Sequence, residues 1–470
     1  MRFLTRTKPI VGRSATEQGA LRRSLGWKQL VALGVGAIVG TGIYTLIGDA
    51  AGLAGPGVLL SFVIAGLVCV FAGLAYAELA AMMPAAGSAY AYSYAALGET
   101  LAWVVGWSLI LEYSVVCSAV AVGWSGYAAG FLNAAGINLP ALLIQGPSDG
   151  GLLNLPAVVI VAAVAGLLAI GTRESAAVNA VLVVVKVAAL LAFVVVALHF
   201  FRSEHLVPFM PFGFGAEAGA DGVKRGVMAA AAIIFFAFYG FDAVSTAAEE
   251  AKRPERDLPI GILGSMAICI VLYVAVGFSA VGARPFSEFA ASKDALASIL
   301  RMLNQPGLAY FVGLAAIVAM PTVILAFLYG QSRIFFAMAR DGLLPERLAK
   351  VNARTGAPLL MTGLTAVVVA AIAAVFPLRE IAALANAGTL CAFIAVGAAL
   401  MVLRVRAPDA ARPYRTPLPF VVGTLAILGC GYLFFSLQQK TILYFFLWNG
   451  LGLALYLLFA RRSSKLAQQQ

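Results

Sequence analysis

Twelve apolar stretches, each near the roughly 20 residues a helix needs to cross a bilayer, divide this chain from end to end. They run over residues 29–50, 57–81, 101–132, 155–172, 178–201, 226–249, 258–282, 308–339, 359–376, 380–403, 417–437 and 441–460. In hydrocarbon every backbone amide must be paired, which leaves such stretches the helix as their only open course. Only 11% of residues are charged, against about 25% in a soluble domain. The longest segments outside the stretches, 133–154 and 202–225, carry Pro, Gly and scattered charges and read as capping loops. The expected fold class is all-α: a polytopic membrane protein of twelve transmembrane helices.

The net charge of +11 raises the question of a nucleic-acid partner, and the placement of the basic residues answers it. With the N-terminus in the cytoplasm, 23 Lys and Arg fall on inside segments and eight on outside ones, while Lys186 lies within a span. Positive-inside orientation accounts for that asymmetry, so the partner is the lipid bilayer and no nucleic acid is needed. The expected location is the cell membrane, multi-pass, with both termini cytoplasmic. Residues 1–28 are basic and polar and lack the apolar core of a cleavable signal. Cys69, Cys117, Cys269, Cys391 and Cys430 all fall inside spans without CxxC spacing, and read as buried apolar residues. There is no GxxxxGK followed by Ser or Thr, no HExxH and no GxSxG, so ATP-driven transport, a metal site and an enzyme all lack candidate residues. No cofactor is expected.

Two spans carry an interruption. Ile38-Val39-Gly40-Thr41-Gly42 breaks the first, and Ala237-Phe238-Tyr239-Gly240-Phe241-Asp242 breaks the sixth. Glycines in a span also serve close helix packing, and the first run alone fits either use. Two breaks five spans apart are the spacing of two five-helix halves in opposite orientation. On that reading residues 29–201 form one repeat and 226–403 the other, joined by the outside loop 202–225. Residues 404–460 supply a loop and two extra helices, and 461–470 a cytoplasmic tail. Half-helices expose amides that attract an anion and carbonyls that attract a cation, and an α-amino acid carries one of each. The amides of Thr41 and Gly42 are candidates for its carboxylate, and the carbonyls of Ile38, Phe236 and Tyr239 for its ammonium.

The runs GVGAIVGTGIY, FAFYGFDAVSTAAEEAKRPERDLPIGI and YGQSRIFFAMARDGLLP resemble the amino acid-polyamine-organocation transporters, most closely the cationic amino acid transporters and their bacterial proton-coupled relatives. The resemblance covers the chain from Leu25 to about Arg461. It implies ten core helices in two inverted repeats, with broken helices one and six, plus two more, working by alternating access. By the same resemblance Ile38, Thr41, Gly42, Phe236, Ala237 and Tyr239 hold the substrate backbone. Phe236 covers the bound substrate, Asp242 is an acidic gating residue, and span-eight residues between Ala319 and Phe327 line the side-chain pocket. Core packing alone would also place an aromatic residue at 236.

Lys186 lies about 12 Å from the cytoplasmic end of its span at 1.5 Å per residue. Its side chain either snorkels or stands where sodium-coupled relatives bind an ion, bracing span one against spans five and eight and carrying the coupling proton. Glu112, midway in span three, is a gating residue, proton relay or substrate contact on one reading and the holder of an internal hydrogen bond on another. Glu78, Glu249 and Glu250 read as interfacial ion pairs or an inner gate, and Arg333, Arg340 and Asp341 as topology and gating. The expected function is a secondary active, proton-coupled amino acid importer. An exchanger without obligatory proton coupling, or a non-transporting amino acid sensor, is the alternative. The uncharged stretch of span eight favours neutral or broad substrates. A small membrane subunit and the oligomeric state leave no signature in the chain.

Overall fold

The first apolar stretch is a helix interrupted after Ile38, with two further helices following the break. In the computed structural model, which describes residues 6–9, 25–84, 87–170, 176–248, 251–345 and 359–468, α1 (Trp27–Ile38) ends where Val39 turns extended, at φ −76° and ψ 99°. Gly40 follows at φ −156° and ψ −147°, then α2 (Thr41–Tyr44) and α3 (Leu46–Ala54). A Gly-Pro-Gly 3-10 turn at Gly55–Gly57 leads into α4 (Val58–Met82). Leu46–Met82 is thus one helical run of 37 residues, where the sequence suggested separate spans ending at 50 and beginning at 57. The turn bends the run without ending it, because the Val58 amide still reaches back to the Gly55 and Pro56 carbonyls.

Next come α5 (Ser88–Ala96), α6 (Glu99–Ala134), α7 (Ala141–Ile144), α8 (Leu155–Ile170) and α9 (Ala176–His199). The segment between α9 and the second break folds a short hairpin, with Glu217 paired to Arg225 and Ala218 to Lys224. The second broken stretch is α10 (Val227–Ile234), a 3-10 turn at Phe235–Ala237, and α11 (Phe241–Thr246). Gly240 between them has φ 113°, a left-handed conformation that a side chain would strain. The chain continues through α12 (Pro254–Ala283), α13 (Phe286–Phe289), α14 (Ala295–Met302), α15 (Pro306–Arg340), α16 (Leu359–Val375), α17 (Leu378–Arg406), α18 (Pro419–Ser436) and α19 (Gln439–Leu455).

Among the described residues nine helices are long and apolar enough to cross a membrane. Three shorter apolar helices, Trp27–Ile38, Leu155–Ala169 and Leu359–Val375, lie in the first, fourth and ninth stretches. Large apolar side chains such as Val184, Val195, Val271 and Val367 stand more than 60% exposed, as a lipid-facing surface requires. The long helix α6 packs along α15 and α17, and α12 along α1 and α4. Small residues allow these approaches: a Cβ on Gly34 of α1 would lie 2.3 Å from the Ser265 hydroxyl of α12. The aromatics of α19 are not all turned outward, since Trp448 stacks on Trp107 of α6 at 4.7 Å, and each indole N–H donates to the other's backbone carbonyl.

The end of the bundle rich in basic residues is tied together by two acids, the buried Glu78 and the half-buried Asp341. Glu78 accepts from Arg404 at 2.7 Å and from the Thr416 amide at 2.7 Å, and pairs with Arg412 at 3.2 Å. Asp341, just after α15, takes Lys8 at 2.6 Å on one oxygen and the Tyr90 hydroxyl at 2.8 Å on the other. Burial, reinforced by the Asp341 carboxylate, pushes the Tyr90 phenol well above its ordinary value, so Tyr90 stays protonated and donates. Glu249 and Glu250, read from the sequence as interfacial ion pairs or an inner gate, lie outside the described residues.

Candidate functional site

Both breaks are in contact, and glycine makes the contact possible. A Cβ on Gly42 would fall 2.4 Å from the Cα of Ala237, and one on Gly240 would fall 2.9 Å from the carbonyl carbon of Ala37. Each interruption therefore presses its backbone against the other's with no side chain between them. The amides of Thr41, Gly42 and Ile43 precede the first bond of the α2 turn, which the Tyr44 amide makes to Gly40 at 3.3 Å. A helix start leaves such amides without intrahelical partners.

A small cavity of about 10 Å³ opens at this crossing, room for about one water. The first break lines it with Ala37, Ile38, Gly40, Thr41 and Gly42, and the second with Phe236 and Tyr239. Val116 and Val120 of α6 and Val323 and Phe327 of α15 form the facing wall. No lining residue is charged. Phe236 meets Tyr239 edge-on at 4.9 Å, and Phe327 links Tyr239 to Tyr113 at 6.4 and 5.0 Å. The Thr41 hydroxyl points to the Met320 sulfur at 3.6 Å, and a Cβ on Gly123 of α6 would collide with the Thr41 side chain.

Side chains from other helices take several carbonyls near the breaks. Tyr273 of α12 donates to Ile38 O at 2.9 Å, so Ile38 offers a ligand only its second lone pair. Lys186 of α9 is fully buried and donates to Gly36 O at 2.8 Å and to the Thr322 hydroxyl of α15 at 3.2 Å. It thus joins α9, α1 and α15 at one ammonium. Asn386 of α17 donates to Ala232 O at 2.6 Å and Ile233 O at 3.2 Å.

Of the residues singled out from sequence, Ile38, Thr41, Gly42, Phe236 and Tyr239 line the cavity. Ala237 abuts Gly42 through its backbone. Lys186 stands behind the first break, outside the lining. Asp242 caps the second break, taking the Gly240 amide at 3.0 Å and the Tyr113 hydroxyl at 3.2 Å. Glu112 lies buried against Gly388 of α17, and neither carboxyl oxygen has a hydrogen-bond partner among the described residues. Val116, Val120, Tyr273 and Asn386 escaped the sequence reading. The two valines sit in an unbroken apolar helix with nothing to set them apart, and Tyr273 and Asn386 act across long sequence separations. Asn386, a carboxamide in an apolar stretch, was the one signal available.

A family model described as amino acid permease matches residues 25–458. The chain is 44% identical to a branched-chain amino acid permease of Bacillus subtilis over 96% of its own length and 95% of the relative's. It is 39% identical to a methylthioribose transporter of the same organism, over 99% and 100%. A vacuolar cationic amino acid transporter of Arabidopsis thaliana is 38% identical over 89% of this chain, which spans 65% of that longer protein. These relatives are permeases and transporters, not enzymes.

Proposed function

The chain belongs to the amino acid permease family, and from that premise we propose that it is a proton-coupled importer of neutral, aliphatic amino acids. The observation that carries this reading is the cavity at the crossed breaks, where exposed backbone meets an uncharged wall. The amides of Thr41 and Gly42 receive the carboxylate, and the carbonyls of Ile38, Phe236, Ala237 and Tyr239 receive the ammonium. Val116, Val120, Val323 and Phe327 take the side chain. A cationic side chain there would be buried without a partner, at a cost that disfavours it. The branched-chain permeases among the relatives fit this preference. The methylthioribose relative fits it less, because that sugar has neither a carboxylate nor an ammonium for the backbone groups.

A cavity of about 10 Å³ is too small for any amino acid, so loading requires the breaks to part from α6 and α15. Alternating access supplies that movement: α1 to α4 and α10 to α12 rock against the rest, in twelve spans with a 5+5 inverted repeat. Phe236 closes over the substrate, while Asp242 and Glu112 gate the path toward the basic, cytoplasmic end, where both termini lie. Lys186 carries the coupling proton, since its ammonium joins the helix that must move to two that stay. Counterflow in proteoliposomes tests the substrate class. Labelled leucine or isoleucine should exchange at least tenfold faster than arginine or methylthioribose, and preference for either of those overturns the neutral-substrate reading. Binding without flux would instead favour a sensor.

A further inference from the structure

Lys186 and Asn386 occupy matching places at the two breaks. Lys186 reaches from α9 to Gly36 O, two residues before α1 ends at Ile38. Asn386 reaches from α17 to Ala232 O and Ile233 O, two residues and one residue before α10 ends at Ile234. Each donor sits on the fifth apolar stretch counted from the interrupted one, and each receiving carbonyl lies in the last turn of the half-helix that enters the break. Both side chains are fully buried. The Asn386 carboxamide spends both of its hydrogens on this pair, which fixes its orientation, since the flipped amide would set its oxygen against two carbonyl oxygens. Its Oδ1 is left without a partner among the described residues, so the contact to α10 is what the carboxamide is held for.

We propose that Asn386 is a positioning residue, the second repeat's counterpart of Lys186, which holds the half-helix α10 against α17 while the cavity is closed and lets go when α10 swings outward. The proposal rests on the alternating-access reading above. By the expected orientation α10 is the outer half of its span and α1 the inner half of its own, so the two residues hold opposite gates. Losing the Asn386 bonds releases one face of the transporter only.

The test uses the full chain with its five native cysteines replaced and one cysteine introduced at the cavity wall, Val120→Cys. A membrane-impermeant thiol reagent is applied to right-side-out and to inverted vesicles, so labelling reports opening of the cavity to each face. Asn386→Leu, which removes both donors at similar size, is expected to raise labelling from the outer face at least fivefold and leave the inner face unchanged or slower. Asn386→Asp, which keeps the shape and at most one donor, should fall between, and carries the test if the leucine variant does not reach the membrane. Labelling raised equally at both faces, the mark of a loosened fold, or unchanged at the outer face, overturns the proposal. A parent protein labelled from one face under all conditions overturns alternating access itself, and the proposal with it. The readout needs no substrate, so it stands apart from the identity of the amino acid.

Discussion

A Cβ on Gly42 would lie 2.4 Å from the Cα of Ala237. Two interrupted helices more than 190 residues apart in the chain therefore touch backbone to backbone. Gly42→Val should remove substrate binding, because the clash is with main chain that has no rotamer to yield. Gly240→Ala should do so as well, adding strain at φ 113°. Equilibrium binding of labelled leucine to purified protein checks both. Affinity within twofold of the parent would mean that the crossing is not the site.

Lys186 predicts a split between two modes of transport. Lys186→Ala should abolish accumulation driven by a proton gradient, while counterflow, which needs no net coupling, falls less. Accumulation that keeps its pH dependence in this variant would remove Lys186 from the coupling step. Because the substitution leaves Gly36 O without its donor, melting temperature must be recorded alongside.

The wall residue Val323 lies 3.3 Å from where a Cβ on Gly40 would stand. Val323→Leu adds one methylene to a cavity with no room to spare. A methylene in a tight pocket changes discrimination by about 1–3 kcal/mol. Uptake of isoleucine should drop tenfold or more relative to alanine, measured by competition at fixed tracer. An unchanged ratio would place the side-chain pocket elsewhere.

Glu78 is bound by two arginines, with Arg412 almost fully buried beside it. Removing one partner of a buried ion pair costs about 3–5 kcal/mol, because it leaves an uncompensated charge. Glu78→Ala should therefore lower the melting temperature and membrane yield while substrate preference among the molecules that fold stays the same. A change in preference without loss of stability would contradict this structural role.

The breaks were legible because lipid makes unpaired backbone expensive: the glycine pair Gly40 and Gly42 alone would also fit helix packing, and it was the second interruption at Gly240, five spans on, that singled both out. Lys186 stood out for the same reason, as a charge where charge is costly. What the sequence lacked was the third dimension. Nothing in it says that Gly42 meets Ala237, that Tyr273 already occupies Ile38 O, or that Val116 and Val120 rather than their neighbours in α6 face the cavity. Helix ends were equally hidden where a 3-10 turn at Gly55–Gly57 carries the chain round a bend. The short helices α5 and α13 show no periodic pattern of their own, while α14 carries one, with Leu296, Ile299 and Leu300 on its buried face.

Coupling of amino acid binding at the crossed breaks to proton flow can be read from transport by the purified protein alone. Purified protein in proteoliposomes, given labelled leucine with and without an inward proton gradient, tests it most directly. Leucine should concentrate several-fold above the external level when the gradient is present, fall back to equilibration when it is dissipated, and do neither in Gly42→Val. Uptake by the parent protein that ignores the gradient and responds only to internal amino acid would contradict the coupling and leave an exchanger.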